Sequence, residues 1–295
     1  MDMKKITFAI ILIILISLLV FIFTRTNSEK VSLEEDSVEQ SDENTNQEGD
    51  VVEQEEKDTK EDGKTVLGAS VEGREIIAYH YGDLSAEKEL LFIAGIHGSY
   101  SRNTVTLAKE LMEYLEDNSD VIPEGYVATV IPDVNPDGYA KTSVSKSVEG
   151  RFNANDVDLN RNFDCQWSTT SKWQNQTVSG GSSVFSEPET QAIRDYVAAN
   201  RIEGVVAYYA AAGGVFASSC SDAVMSETLA LTNRYADASG YKAFESFDFY
   251  EISGDMVNWF AKNNIPAISV LLTGYESTEF SKNKAGVESF FNYYK

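Results

Sequence analysis

The chain changes character near residue 64, and that change decides which part of it can fold around a core. Residues 27–64 contain no aromatic side chain, and residues 29–64 hold 15 acidic against 4 basic side chains. A tract this polar cannot bury enough apolar surface to offset its chain entropy, and its own charge extends it. It reads as a disordered acidic linker. Residues 6–23, ahead of it, are nearly all Ile, Leu, Val and Phe. At about 1.5 Å per residue that run spans about 27 Å, close to the thickness of a bilayer's hydrocarbon core. Lys4 and Lys5 precede it, so the positive-inside rule keeps the N-terminus cytoplasmic and exports the rest. Thr24-Arg25-Thr26-Asn27 offers no small-x-small cleavage site, which favours an uncleaved signal anchor over a cleaved signal peptide. The expected organisation is a cytoplasmic stub and transmembrane anchor over residues 1–26, an acidic linker over 27–64, and one folded domain over 65–295. That makes a single-pass membrane protein with an extracytoplasmic C-terminal domain.

The folded part alternates strand-like and helix-like segments. Residues 75–81 and 89–96 read as strands. Residues 104–115 read as a helix, with Leu107, Leu111 and Leu115 on one face at i, i+4 spacing. A strand over 126–134 follows. Ser186-Glu187-Pro188-Glu189 reads as a helix start, with Ser186 as cap, and the helix runs to about residue 200. Residues 204–210 read as a buried strand, and 227–238 and 254–263 as helices. The apolar run 266–272 has the texture of a central strand, and 286–294 closes the chain as a helix. Such alternation predicts an α/β three-layer sandwich, a mixed but largely parallel sheet flanked by helices.

The formal net charge is −23, which excludes nucleic acid as a natural partner, since phosphates are met by Lys and Arg. Cys165 and Cys220 form no CxxC pair, so neither a redox motif nor a four-cysteine metal site is available. Whether they join as a disulfide or remain two buried thiols is open.

Four segments carry more specific information: Gly95-Ile96-His97-Gly98 after a strand; Asn135-Pro136-Asp137-Gly138; Arg151-Phe152-Asn153 leading to Val157-Asp158-Leu159-Asn160-Arg161-Asn162-Phe163; and Phe185-Ser186-Glu187-Pro188-Glu189-Thr190. In that order and spacing they resemble the M14 zinc carboxypeptidases, from about residue 75 to the C-terminus. The resemblance implies that Asn160 and Arg161 bind the C-terminal carboxylate of a peptide. A guanidinium suits this, gripping a carboxylate through two parallel hydrogen bonds. It also implies that Arg151 stabilises an oxyanion. The alternative use of both arginines is a structural ion pair with Asp156 or Asp158.

The resemblance breaks down at the metal. The family requires His-x-x-Glu and a distant His, with one coordination position open for water. His97 matches the first histidine, but Tyr100 or Ser101 stands where the glutamate belongs. Ala210 aligns with the second histidine, with Tyr209 as the neighbouring alternative. Leu271 stands in place of the glutamate that acts as general base. Alanine and leucine offer no ligand or base, and hydroxyls stay protonated near neutral pH. Rescue would need Cys220, Asp222 or Glu279 to reach the pocket from loops; no acid follows Leu271 until Glu276 and Glu279, and Glu279 is the candidate for a catalytic role. The other histidine, His80, reads as an ordinary strand residue, and residues 241–250 as an aromatic wall.

Two functions therefore compete. The first is a membrane-anchored pseudopeptidase that recognises peptide or protein C-termini, cell-wall peptides included, with zinc-dependent hydrolysis lost or strongly altered and no cofactor needed for binding. The second is an active metallocarboxypeptidase that releases C-terminal residues through a non-standard zinc site.

Overall fold

The computed structural model describes residues 63–142, 147–221 and 223–295. The expected anchor and all but the last two residues of the expected linker lie outside these, as does Asp222. Among the described residues, no helix is long and apolar enough to cross a membrane.

The domain begins with strand β1 (Lys64–Ala69), followed by β2 (Glu75–Gly82) and β3 (Lys88–Ile93). Helix α1 (Arg102–Asp117), β4 (Tyr126–Ile131) and the short α2 (Pro136–Ala140) come next. A hairpin of β5 (Thr170–Trp173) and β6 (Gln176–Ser179) precedes α3 (Pro188–Ala199) and β7 (Arg201–Ala210). The chain closes with β8 (Gly214–Ala217), α4 (Ser226–Ser239), β9 (Lys242–Phe244), α5 (Met256–Lys262), β10 (Ala267–Leu272) and α6 (Phe280–Tyr294).

Eight strands form one sheet in the order β1-β2-β4-β3-β7-β10-β8-β9. The pairings β3–β4, β3–β7, β7–β10 and β8–β9 are parallel, and β1–β2, β2–β4 and β8–β10 are antiparallel. The sheet is thus mixed and mostly parallel, as the alternation predicts.

Strand alternation divides the core between the two faces of the sheet. Leu90, Phe92, Val206, Tyr208, Ile268 and Val270 pack with Leu107, Leu111 and Leu115 of α1, Tyr235 of α4 and Phe290 of α6. Their neighbours Leu91, Ile93, Val205, Ala207 and Tyr209 pack on the opposite face with Ile193 and Tyr196 of α3 and Trp259 and Phe260 of α5. Helices cover both faces, giving the three layers. Leu107, Leu111 and Leu115 form the buried stripe that their spacing implies.

Several element boundaries differ from the sequence reading. Glu187, not Ser186, is the N-cap of α3, because Pro188 takes the first helical position, where its missing N–H costs nothing. Helix α6 starts six residues earlier than expected, at Phe280. The β5–β6 hairpin and strands β1, β8 and β9 were not anticipated; the last two are only four and three residues long, below the length at which periodicity shows.

Candidate ligand-binding site

The parallel strands β3, β7 and β10 run side by side, and the loops after their C-terminal ends converge there. In an open α/β sheet this is the usual place for a ligand crevice. A cavity of about 750 Å³ lies here, lined by His97, Arg151, Asn160, Arg161, Tyr209 and Asp255 among others.

His97 follows β3 and precedes a short 3-10 turn, Gly98–Ser101. Gly98 has a φ of +48°, and a Cβ there would lie 2.6 Å from the backbone of Gly138. Only glycine fits this close crossing, and the crossing fixes the turn that carries His97. The imidazole is buried. Its Nε2 lies 2.8 Å from Nη2 of Arg151. Arg151 in turn donates Nε–H to Oδ2 of Asp158 at 3.0 Å, and both partners of this ion pair are buried. The Arg151 guanidinium also stacks near the rings of Tyr100 and Trp173, at 5.4 and 5.2 Å. Arg151 therefore makes the structural ion pair with Asp158 that the sequence left open.

A guanidinium only donates. His97 Nε2 must therefore accept, so the ring is neutral and its one proton sits on Nδ1. Burial, reinforced by the charges of Arg151 and Arg161, pushes the imidazole well below its ordinary range, in agreement with a neutral ring. Nδ1 is buried and has no hydrogen-bond partner among the described residues.

Asn160 and Arg161 lie on a 3-10 turn, Leu159–Arg161, capped by Asp158, whose side chain accepts from the Asn160 N–H. The Arg161 guanidinium donates Nε–H to the Lys172 carbonyl at 3.1 Å and Nη1–H to its own neighbour's carbonyl, Asn160 O, at 2.6 Å. Among the described residues it forms no ion pair, so its charge is uncompensated by direct contact. Asn160 is differently placed. Its Nδ2–H donates to Oδ2 of Asp255 at 2.7 Å, and its Oδ1 accepts from the Met256 N–H at 3.1 Å. The oxygen and one N–H of the Asn160 amide are engaged within the protein, and Arg161 is the charged group that remains for an incoming carboxylate. Asp255 is fully enclosed as the N-cap of α5. Burial raises its carboxyl, opposed by the Arg161 charge and by the hydrogen bonds from Asn258 and Asn160.

Gly254, at φ +65°, brings its backbone so close that a Cβ would lie 2.1 Å from Arg161 O. Its carbonyl accepts from Phe163 N–H at 3.0 Å and its N–H donates to Cys165 O at 2.7 Å. Cys165 is joined to Cys220 by a disulfide, with Cα atoms 5.8 Å apart.

The remaining predicted positions are distributed unevenly. Tyr100 lines the cavity, but its hydroxyl is hydrogen-bonded to Tyr275. Ser101 does not line it. Ala210, at the end of β7, also lines the cavity, but it packs with the cluster on the other face of the sheet and is not the residue beside His97. That residue is Tyr209, whose ring centroid is 5.3 Å from that of His97. Strand alternation is the reason, since Tyr209 points to the site's face and Ala210 away from it. Burial holds the Tyr209 phenol well above its ordinary range, and its hydroxyl has no partner among the described residues. Leu271 lies in register with Tyr209 on the adjacent strand and lines the cavity. Glu279 does not reach the cavity. It accepts hydrogen bonds from Tyr241 Oη at 2.9 Å and Thr273 N–H at 2.7 Å and pairs with Lys282 at 2.8 Å. Phe247 and Tyr250 form part of the wall, as the composition of residues 241–250 suggests. Asp255 went unnoticed in the sequence; an Asp before an apolar helical run is a cap signal, and here the cap also faces the cavity.

The zinc carboxypeptidase profile, Peptidase M14, matches residues 59–286. The chain belongs to the zinc carboxypeptidase family. Carboxypeptidase D of Mus musculus is 35% identical over 136 residues, which cover 41% of this chain and 10% of that protein. The carboxypeptidase N catalytic chain of Homo sapiens is 30% identical over 113 residues, 33% of this chain and 25% of that one. The matched segment thus spans only a tenth to a quarter of these relatives. Among solved structures, the murein-tripeptide amidase MpaA from Escherichia coli O157 superposes with a TM-score of 0.59 at 22% identity, covering 77% of this chain and 90% of that one. Bovine thrombin-activatable fibrinolysis inhibitor gives a TM-score of 0.66 at 16% identity, covering 78% and 89%. At these identities the structural likeness establishes the fold alone, an α/β carboxypeptidase-like sandwich.

Zinc in such a site needs three ligand atoms with free lone pairs converging on one point. The residues present do not fit it. His97 Nδ1 carries the proton, the Tyr209 phenol is held protonated, and Arg151 sets a positive charge 2.8 Å from the imidazole. Among the described residues, no group of three or more His, Cys, Asp or Glu is placed to hold a metal ion.

Proposed function

We propose that this domain is a carboxylate-recognising member of the zinc carboxypeptidase family that binds peptide C-termini without hydrolysing them. The observation that carries this reading is the state of Arg161. Its guanidinium faces a large cavity, is held in place by two backbone carbonyls, and has no ion-pair partner among the described residues. A buried, immobilised guanidinium is a strong carboxylate receptor, since little side-chain entropy remains to be lost on binding. Leu271 and Tyr209 supply neither a general base nor a metal ligand, which supports binding over hydrolysis.

The apolar run 6–23 and the acidic tract that follows support a tethered domain on the outer side of a membrane. Exported peptide ends, including cell-wall peptides, are then the natural ligands. The fold shared with a murein-tripeptide amidase is in keeping with that class.

Arg161→Ala tests the reading. The variant should lose about 2 to 4 kcal/mol of affinity for an acetylated dipeptide with a free C-terminus. Wild-type affinity in the variant, or chelator-sensitive release of the C-terminal residue by the wild type, would overturn it.

A further inference from the structure

The site's face of β7 and the loop after β3 carry two buried polar hydrogens that nothing among the described residues satisfies. One is His97 Nδ1–H, its proton fixed there because Arg151 donates to Nε2. The other is Tyr209 Oη–H. The two rings lie 5.3 Å apart and line the same cavity as Arg161. An unsatisfied buried donor is costly, and both of these belong to residues lining one cavity, where an acceptor oxygen can meet them. Around them stand Arg151, Arg161, Asp158 and Asp255. The two carboxylates are engaged with Arg151 and Asn160, so the net invitation is to an electron-rich oxygen.

We infer that His97 and Tyr209 form a hydrogen-bonding site for a carbonyl oxygen of the bound peptide. For the identity of the ligand this rests on the carboxylate reading above; the donor pair itself does not. Arg161 takes the peptide's terminal carboxylate, and the donor pair takes the carbonyl of the preceding peptide bond. The one N–H and one O–H dipole orient the carbonyl and leave the peptide bond intact. The ligand class is therefore a peptide end with both features, and a simple carboxylic acid fills only half of the site.

The test compares two probes on the full-length chain. Tyr209→Phe removes the hydroxyl alone. It should bind N-acetyl-alanyl-alanine about tenfold more weakly than wild type, while its affinity for acetate is unchanged. Arg161→Ala should lose affinity for both probes. If Arg161→Ala loses both and Tyr209→Phe loses neither, the donor pair is refuted and the carboxylate reading stands. If Arg161→Ala binds both probes like wild type, the carboxylate reading itself fails. A second measurement does not depend on any variant folding. With ¹⁵N-histidine incorporated, the chain shows only two imidazoles, assigned by through-bond correlation. His97 should be a neutral ring protonated at Nδ1, with shifts unmoved by equimolar zinc. An Nε2-protonated ring, or one that shifts on adding zinc, would overturn the inference.

Discussion

The carboxylate of Asp255 accepts a hydrogen bond from the side-chain amide of Asn160 at 2.7 Å. The chain thus presents its own carboxylate to half of the pair that its family resemblance assigns to a ligand's carboxylate. The negative charge lies close enough to Arg161 for that arginine to be the chief influence opposing the burial of Asp255.

This arrangement tempers the affinity of Arg161 for anions. Asp255→Asn keeps the shape and the capping oxygen for α5 while removing the charge. Carboxylate affinity should rise about tenfold, about 1.4 kcal/mol, by titration calorimetry with acetate at neutral pH. An unchanged or weaker affinity would show that Asp255 does not compete with the ligand.

The buried pair of Arg151 and Asp158 is a second test of internal electrostatics. Arg151→Met strands the Asp158 charge, which should cost about 3 to 5 kcal/mol of stability in urea unfolding. Adding Asp158→Asn should return part of that loss, because the uncompensated charge is then gone. If the double variant is as unstable as the sum of the two single changes, the pair is not coupled as described.

Asp133, just after β4, gives the clearest pH signature. Burial pushes its carboxyl up to about 7, against a hydrogen bond from the Asn135 N–H and the charges of Lys109 and Arg102. A folded pKa above the unfolded one means that the folded state holds the proton more tightly. Below the unfolded value of about 4 both states are protonated and nothing is gained or lost. As pH rises from there to about 7, the unfolded state ionises first and stability falls. Asp133→Asn should remove that slope, so denaturation at pH 5 and pH 8 should show the variant gaining on wild type at the higher pH. A gain that is the same at both would contradict the shift.

The Cys165–Cys220 disulfide closes a loop of 55 residues. On the loop-entropy account, replacing both cysteines with alanine should cost about 4 kcal/mol of stability. A guanidinium melt showing less than about 1 kcal/mol would mean that the unfolded chain is already restricted, or that the bridge is strained.

The layered α/β order was legible because long segments declare their period. The Leu107, Leu111, Leu115 stripe and the apolar run before Leu272 each point to one environment. The ligand pair Asn160-Arg161 was legible through its motif, yet the motif was silent on Asp255, which lies 95 residues further on and meets Asn160 only through the fold. Choosing between Tyr209 and Ala210 needed the parity of a strand, since a slip of one residue turns a side chain to the opposite face. Glu279 looked available from its position near the last strand, but Thr273, Tyr241 and Lys282 already occupy it. The disulfide joins loops that are distant in sequence, and spacing alone could not decide it.

Gly254 ties the segment bearing Arg161 to the start of α5, and Cys165, on the same segment, is bolted to the loop after β8. Three stretches of chain around the cavity are therefore laced into one frame, and the receptor arginine cannot travel independently of the wall it faces. Tyr100 belongs to the same side, buried edge-to-face on Trp173, next to the Lys172 carbonyl that holds Arg161. The carboxylate end of a ligand should thus meet an unyielding seat, and tolerance for variety belongs to parts of the wall outside this frame.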